Sequence, residues 1–263
     1  MNHSPTAAYT PRMRPLTRIL PALLCSAVLM AQTPPPTDAQ MAAQVRAEAL
    51  HAWQGYRARA WGHDELRPLS LKPRDWYGKS LLMTPVDALD TLIPMGLKDE
   101  ADDARKLIDA KLDFDQDLRV KGFEINSRLL GGLLSGYQLT GDPKLLALAK
   151  DLGDRLLPAF DTPTGMPYQF VNLKTHKADG AVSNPAEIGT YLLEFGVLSR
   201  LTKNPVYYAK AKAASTALFD RRSKLGLVGS EINVETGAWA DRSSHISGGI
   251  DSYCEYLLKA SIL

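Results

Sequence analysis

The break Gly141-Asp-Pro143, which follows Leu139-Thr140, returns 62 residues later as Lys203-Asn-Pro205 after Leu201-Thr202. A proline pushes the residue before it out of the helical region, yet suits the first turn of a new helix. Each break therefore ends one helix and starts the next. Apolar residues on either side recur at helical spacing, predicting helices at about 98–110, 122–140, 143–157, 184–201, 205–219 and 248–260. Upstream, Val45, Leu50, Trp53 and Tyr56 fall on one side of a helix running from Met41 to about Arg59. Thr84 is a candidate N-cap for another helix reaching Leu92, with Pro85 at its first position. Extended pieces are short. Pro167–Asn172 and Leu227–Ile232 each predict a small strand at a helix end. The pattern is that of stacked helical hairpins, either an open solenoid or a closed toroid with a polar hollow.

Composition narrows the class. The chain has 263 residues, 31 basic and 29 acidic side chains, enough for one core without requiring a second domain. Residues 1–31 contain Arg12, Arg14 and Arg18 and no acid, leaving 28 basic against 29 acidic residues in the rest. That balance gives no electrostatic footprint for nucleic acid. Arginine followed by the apolar run Ile19–Ala31 has the shape of a secretory signal peptide cleaved after Ala31. The alternative is an uncleaved membrane anchor, since Leu29 rather than a small residue lies two before Ala31. Residues 32–40, opening on Gln32-Thr-Pro-Pro-Pro-Thr37, read as a proline-rich spacer before the domain that begins at residue 41. The expected location is the periplasm or exterior of a bacterium, with no integral membrane domain once the signal is removed. Cys25 would leave with the signal, so Cys254 has no intramolecular disulfide partner.

The chemistry lies in acids placed on apolar helix faces. Glu124 and Arg128 stand four residues apart among Phe123, Ile125, Leu129 and Leu130, on one helix side. Burying such a pair is costly unless the charges are paired or working. Asp251 and Glu255 repeat the spacing, Asp87 and Asp90 lie three apart, and Glu187 and Glu194 seven apart. Each has an ordinary account as a salt bridge or cap; Asp87, near a helix start, suits it well. Glu194, between Leu193 and Phe195, suits it least. Together, carboxylates on four helices fit glycoside hydrolysis. That reaction needs one carboxylic acid for the leaving oxygen, one carboxylate to activate water or attack carbon, and further groups to hold hydroxyls. The Arg128 fork would orient a carboxylate or a sugar hydroxyl. Trp61, Trp76, Tyr168 and Phe170 are candidates for stacking on a sugar, whereas Trp53 reads better as core. The five histidines lack zinc-ligand spacing. No Gly-x-Ser-x-Gly, phosphate loop or dinucleotide fingerprint is present.

These segments closely resemble class I alpha-1,2-mannosidases, glycoside hydrolase family 47. Matching stretches are Trp61–Pro68, Val86–Leu92, Phe123–Arg128 with Gly131–Ser135, Asn172–Thr175, Ala186–Thr190 with Leu193–Phe195, and Asp251–Tyr253 with Glu255–Lys259. Ser127 and Cys254 depart from the usual isoleucine and tyrosine. The resemblance implies an all-α (α/α)7 toroid of helical hairpins with minor β-hairpins, of which residues 41–263 are about the first half. It implies calcium at the pocket floor and inverting removal of terminal alpha-1,2-linked mannose from glycans. Carried over by motif, Glu124 is the acid acting on the leaving oxygen through a water, and Asp251 the second active-site carboxylate. Arg128, Glu187, Glu255 and Asp87 surround the sugar. The family's general base and its calcium segment are expected beyond Leu263, so no metal ligand is expected among these residues. Residues 32–263 alone are accordingly expected to turn over little substrate and to hold calcium weakly. The alternative is an inactive mannoside-binding or helical scaffold protein. The sequence does not fix an oligomeric state.

Overall fold

The structure, a computed structural model, describes residues 35–263. The signal or anchor expected in residues 1–31 lies outside the described residues. The chain divides into two units at Met41/Ala42. In the described end of the first, Thr37 and Gln40 cap each other reciprocally. The Thr37 amide donates to Gln40 Oε1 (2.9 Å) and the Gln40 amide to Thr37 Oγ1 (3.3 Å), a capping box. The helix this opens, α1, runs Asp38–Ala60. It therefore takes in 38–40, which the sequence reading gave to the spacer.

The second unit is built of short helices in two rows. One row contains α2 (Met83–Asp87) with α3 (Leu89–Leu92), then α5 (Gly122–Glu124) running into α6 (Gly131–Thr140), then α8 (Pro185–Gly189) with α9 (Leu192–Thr202), and finally α11 (Asp251–Ile262). The other contains α4 (Lys98–Lys111), α7 (Pro143–Leu156) and α10 (Val206–Phe219). Within the first row α3 packs on α6, α6 on α9, and α9 on α11; hairpins α6–α7 and α9–α10 join the rows. The breaks behave as expected. Gly141 closes α6 at φ +72°, Asp142 Oδ1 accepts the Lys144 amide (3.1 Å), and Pro143 opens α7. In the second break Lys203 takes the left-handed conformation and Asn204 Oδ1 accepts the Val206 amide (3.2 Å).

The 62-residue repeat extends to the small antiparallel sheets. β3 (Arg119–Lys121) leads into α5 and pairs with β4 (Phe170–Asn172), which pairs with β5 (Ala178–Asp179). Equivalently, β6 (Val182–Ser183) leads towards α8 and pairs with β7 (Glu231–Asn233), which pairs with β8 (Trp239–Asp241). Asn172 Oδ1 accepts the amides of Lys174 and Thr175, and Asn233 Oδ1 those of Glu235 and Thr236. The same side-chain turn therefore closes both hairpins. A separate hairpin pairs β1 (Glu65–Arg67) with β2 (Lys72–Arg74). Of these strands, the sequence pointed only to the neighbourhoods of β4 and β7. Two or three residues per strand is too short for alternation to register.

Three helix predictions need correction. Thr84 does not cap: Leu82, at φ +53°, is the cap position, and Thr84 Oγ1 donates to the Asp64 carbonyl (2.6 Å). The predicted helix at 184–201 breaks at Thr190-Tyr191. The one at 122–140 contains a π turn over Ile125–Leu130, where the Gly131 amide reaches back to the Asn126 carbonyl. Helical periodicity alone does not reveal one extra residue in a turn.

Packing is dense where the repeats meet. Phe160, Tyr191, Phe195 and Tyr207 are fully buried and form a chain of rings 5.1–5.8 Å apart. Helices α2 and α6 touch through Gly132, where a Cβ would lie 2.7 Å from the Val86 carbonyl oxygen. Backbone cannot retreat as a side-chain end can. Gly132→Ala should destabilise the fold by about 1–3 kcal/mol in denaturant unfolding; an unchanged midpoint would show that the helices separate freely.

Candidate active site

β3 runs directly into α5 at Gly122, which lies beneath the hydroxyl of buried Tyr191 with no room for a side chain. Two residues later Glu124 projects from the first turn. Arg128 Nε donates to Glu124 Oε2 (3.0 Å), its Nη1 lies 3.4 Å from Asp87 Oδ2, and its guanidinium sits 5.3 Å from the Trp76 ring centre. Two carboxylates and an aromatic face thus orient one planar cation, which a lysine could not replace. Desolvation raises the Asp87 carboxyl above its ordinary range, opposed by Arg128. Asp90, by contrast, accepts from Ser135 Oγ (3.0 Å).

Glu187 is buried in the first turn of α8. Lys121 Nζ lies 2.5 Å from its Oε1, Ser183 Oγ donates to its Oε2 (3.2 Å), and Asn184 Oδ1 accepts its amide (3.0 Å). Lys121 adjoins Gly122, so this ion pair ties successive repeats together. The sequence reading assigned Lys121 no role, although its place beside the Gly-Phe-Glu motif was a signal. Asp251 opens α11; it is exposed and its Oδ1 accepts the Ser252 amide (2.8 Å). Glu255 is also exposed, 3.7 Å from Lys259 Nζ. Glu124, Arg128 and Asp87 thus form one contact set, whereas Glu187, on the next repeat, is held by Lys121 and Ser183 and touches none of the three. Asp251 and Glu255 stand on a helix packed against α8 and α9. Glu124, Glu187 and Asp251 follow one another at intervals of 63 and 64 residues, each in the first turn of a helix of the same row.

Two other acids are structural. Asp64 is fully buried; Oδ1 accepts the amides of Leu81 (2.7 Å) and Met83 (3.2 Å), and Oδ2 that of Trp76 (3.0 Å). It therefore holds the loop that presents Trp76 and α2, which carries Asp87. Its sequence stretch carried the family resemblance, but nothing in it specified this bracing. Glu194 accepts from Asn126 Nδ2 (3.0 Å) and from the Tyr256 hydroxyl (2.6 Å). Desolvation raises its carboxyl above the ordinary 4.5, against the lowering effect of Tyr256 and Asn126. An acid raised on folding releases its proton first in the unfolded chain, so stability falls as pH climbs from 4.5 into the raised range. The Tm of the native chain minus that of Glu194→Gln should therefore decline upward from pH 4.5; a rising difference would contradict the desolvated carboxyl.

Trp76 is the aromatic beside the charged set. Trp53 is buried and its Nε1 donates to Glu100 (2.7 Å), while Trp61 packs edge-on 5.9 Å from it. Arg119 covers Phe170 at 3.6 Å, and the Tyr168 hydroxyl bonds Glu235 (2.7 Å). Among the described residues no group of three or more His, Cys, Asp or Glu is placed to hold a metal ion. No helix there is long and apolar enough to cross a membrane.

Successive helical hairpins, with Glu124, Glu187 and Asp251 each in the first turn of a helix of one row, are the building units of an α/α toroid. Residues 48–263 match the profile of glycosyl hydrolase family 47, and the chain belongs to that family. It is 42% identical over 249 residues to alpha-mannosidase I MNS4 of Arabidopsis thaliana, covering 89% of this chain and 40% of that protein. It is 43% identical over 216 residues to the human endoplasmic reticulum mannosyl-oligosaccharide 1,2-alpha-mannosidase, covering 80% of this chain and 31% of that protein. The alpha-1,2-mannosidase from Trichoderma reesei superposes with a TM-score of 0.76 at 32% identity, over 83% of this chain and 49% of that one. The chain thus spans less than half the length of these relatives. A cellobiose 2-epimerase from Spirochaeta thermophila shares the fold alone (TM-score 0.54, 18% identity).

Proposed function

We propose that the whole protein removes terminal alpha-1,2-linked mannose from oligosaccharides with inversion at the anomeric carbon. The observation that carries this is the Glu124–Arg128–Asp87 set, standing on the helix row of a family 47 chain. Inversion separates two tasks, protonation of the departing oxygen and activation of water on the opposite face. Glu124 takes the first, delivering its proton to the leaving oxygen through an intervening water. Arg128 fixes the Glu124 carboxyl and presents its remaining donors to the sugar. Asp251 is the second carboxylate of the site; Glu187, Glu255 and Asp87 bind hydroxyls and ordered water around the ring. Calcium belongs to the same proposal, but the described residues form no donor cluster that fits it. No step above depends on it. The Arg-flanked N-terminal run supports placing the protein in the periplasm or exterior of a bacterium.

Linkage tests the reading. Whole protein supplied with calcium should release mannose from alpha-1,2-mannobiose at least tenfold faster than from the alpha-1,3 or alpha-1,6 isomers. Equal rates would remove the linkage assignment. Binding without turnover on any of them would instead identify a mannoside-binding protein.

A further inference from the structure

Two polar routes connect the π turn to α11, and both begin at Asn126, which lies between Glu124 and Arg128 in sequence. In one, Asn126 Nδ2 donates to Glu194 Oε2 (3.0 Å), and Glu194 Oε1 accepts the Tyr256 hydroxyl (2.6 Å). In the other, Asn126 Nδ2 donates to the Thr190 carbonyl (2.8 Å), and Thr190 Oγ1 donates to Ser252 Oγ (2.8 Å). Tyr256 adjoins Glu255 and Ser252 adjoins Asp251. Asn126 is fully buried, and both of its partners on this side are acceptors, which fixes the orientation of its amide. Thr190 stands at the break between α8 and α9, so its carbonyl is free of the ladder and available to Asn126. The catalytic assignments above give Glu194 no task. Its two carboxylate oxygens nevertheless face one donor from each acid-bearing helix.

We propose that Glu194 is a positioning residue, a polar clamp that sets the Glu124–Arg128 turn against the helix bearing Asp251 and Glu255. The mechanical basis is the wide turn itself. A π turn is a rare departure from the α-helix, found mostly as a single-turn bulge at functional sites, and an unusual backbone persists where its neighbours hold it. Asn126 is the side chain by which it is held. Losing Glu194 would leave Asn126 with Thr190 only and the Tyr256 hydroxyl without an acceptor. Helix α11 would then be free to shift relative to Glu124. A displacement near 1 Å at a reacting group lowers rate by about 10²-fold.

The kinetic part rests on the mannosidase reading, so the test has an arm that does not. In the whole protein, Glu194→Gln retains both contacts, because its amide can accept from Asn126 and donate to the Tyr256 oxygen; Glu194→Leu retains neither. On alpha-1,2-mannobiose, well below the unfolding temperature, Glu194→Leu should lower kcat by about 10²-fold and change KM less than about threefold. Glu194→Gln should stay within about threefold of the native kcat. Tyr256→Phe should be damaging alone but add nothing to Glu194→Leu, as expected for members of one unit. Hydrogen exchange should speed up in residues 122–131 and 251–262 of Glu194→Leu and not of Glu194→Gln. A folded Glu194→Leu variant with native kcat overturns the proposal, as does a glutamine variant as impaired as the leucine one. If the native protein releases no mannose, the functional reading fails, and exchange alone decides the clamp. Unchanged exchange in both segments then rejects it.

Discussion

Glu124→Gln in the whole protein is expected to lower kcat by roughly 10²–10⁴-fold, the contribution of a well-placed general acid. The substitution keeps an acceptor for Arg128 Nε, now 3.0 Å from Glu124 Oε2, and so leaves the fold and the Arg128 position in place. What it removes is the titratable proton. A general acid fails as it loses its proton, so the limb that should vanish with it is the basic limb of the kcat profile. A glutamine variant within twofold of the native rate across the pH range would take the acid role away from Glu124. Arg128→Lys belongs to the same experiment. An ammonium cannot contact Glu124 and Asp87 in the geometry of the planar fork while lying over Trp76, so its rate should fall as well.

The largest structural effect is expected at Asp64. Asp64→Ala strips the acceptor from the amides of Trp76, Leu81 and Met83, the last two in buried surroundings. An unsatisfied buried donor costs about 1–3 kcal/mol, so the loss should reach about 3 kcal/mol or more in denaturant unfolding. Asp64→Asn, which can satisfy some of these donors, should lose less. A loss below about 1 kcal/mol for the alanine variant would mean that water replaces the carboxylate and that the loop needs no brace.

The helical hairpins were legible because their punctuation is chemical. Gly141-Asp-Pro143 supplies a left-handed stop, a cap and a first-turn proline within three residues. The acids at 124 and 187 stood out because carboxylates among apolar helix residues need a reason, whereas Asp251 lies exposed at the start of α11. Equivalence between the three repeats was not legible. Glu124 follows Phe123, Glu187 follows Ala186 and Asp251 follows Ile250; the strand leading into the helix aligns the first two, and Asp251 joins them only by its place in a first helical turn. The π turn was hidden because its extra residue lies inside an unbroken apolar period. Lys121 and Asp64 were hidden for another reason: their partners come from distant residues, such as Glu187 and the amides of Leu81 and Met83. Trp76 could be named as an aromatic candidate from sequence. Only the fold distinguishes it from Trp61, which packs edge-on against buried Trp53 instead of beside Arg128.

The anomer first released decides whether this helix row works in an inverting alpha-1,2-mannosidase. Whole protein is mixed with alpha-1,2-mannobiose in the presence of calcium, and anomeric proton signals are followed by NMR before mutarotation. Beta-mannose should appear first and then relax towards the equilibrium mixture. Alpha-mannose as the initial product would mean retention through a covalent intermediate and would rule out inversion.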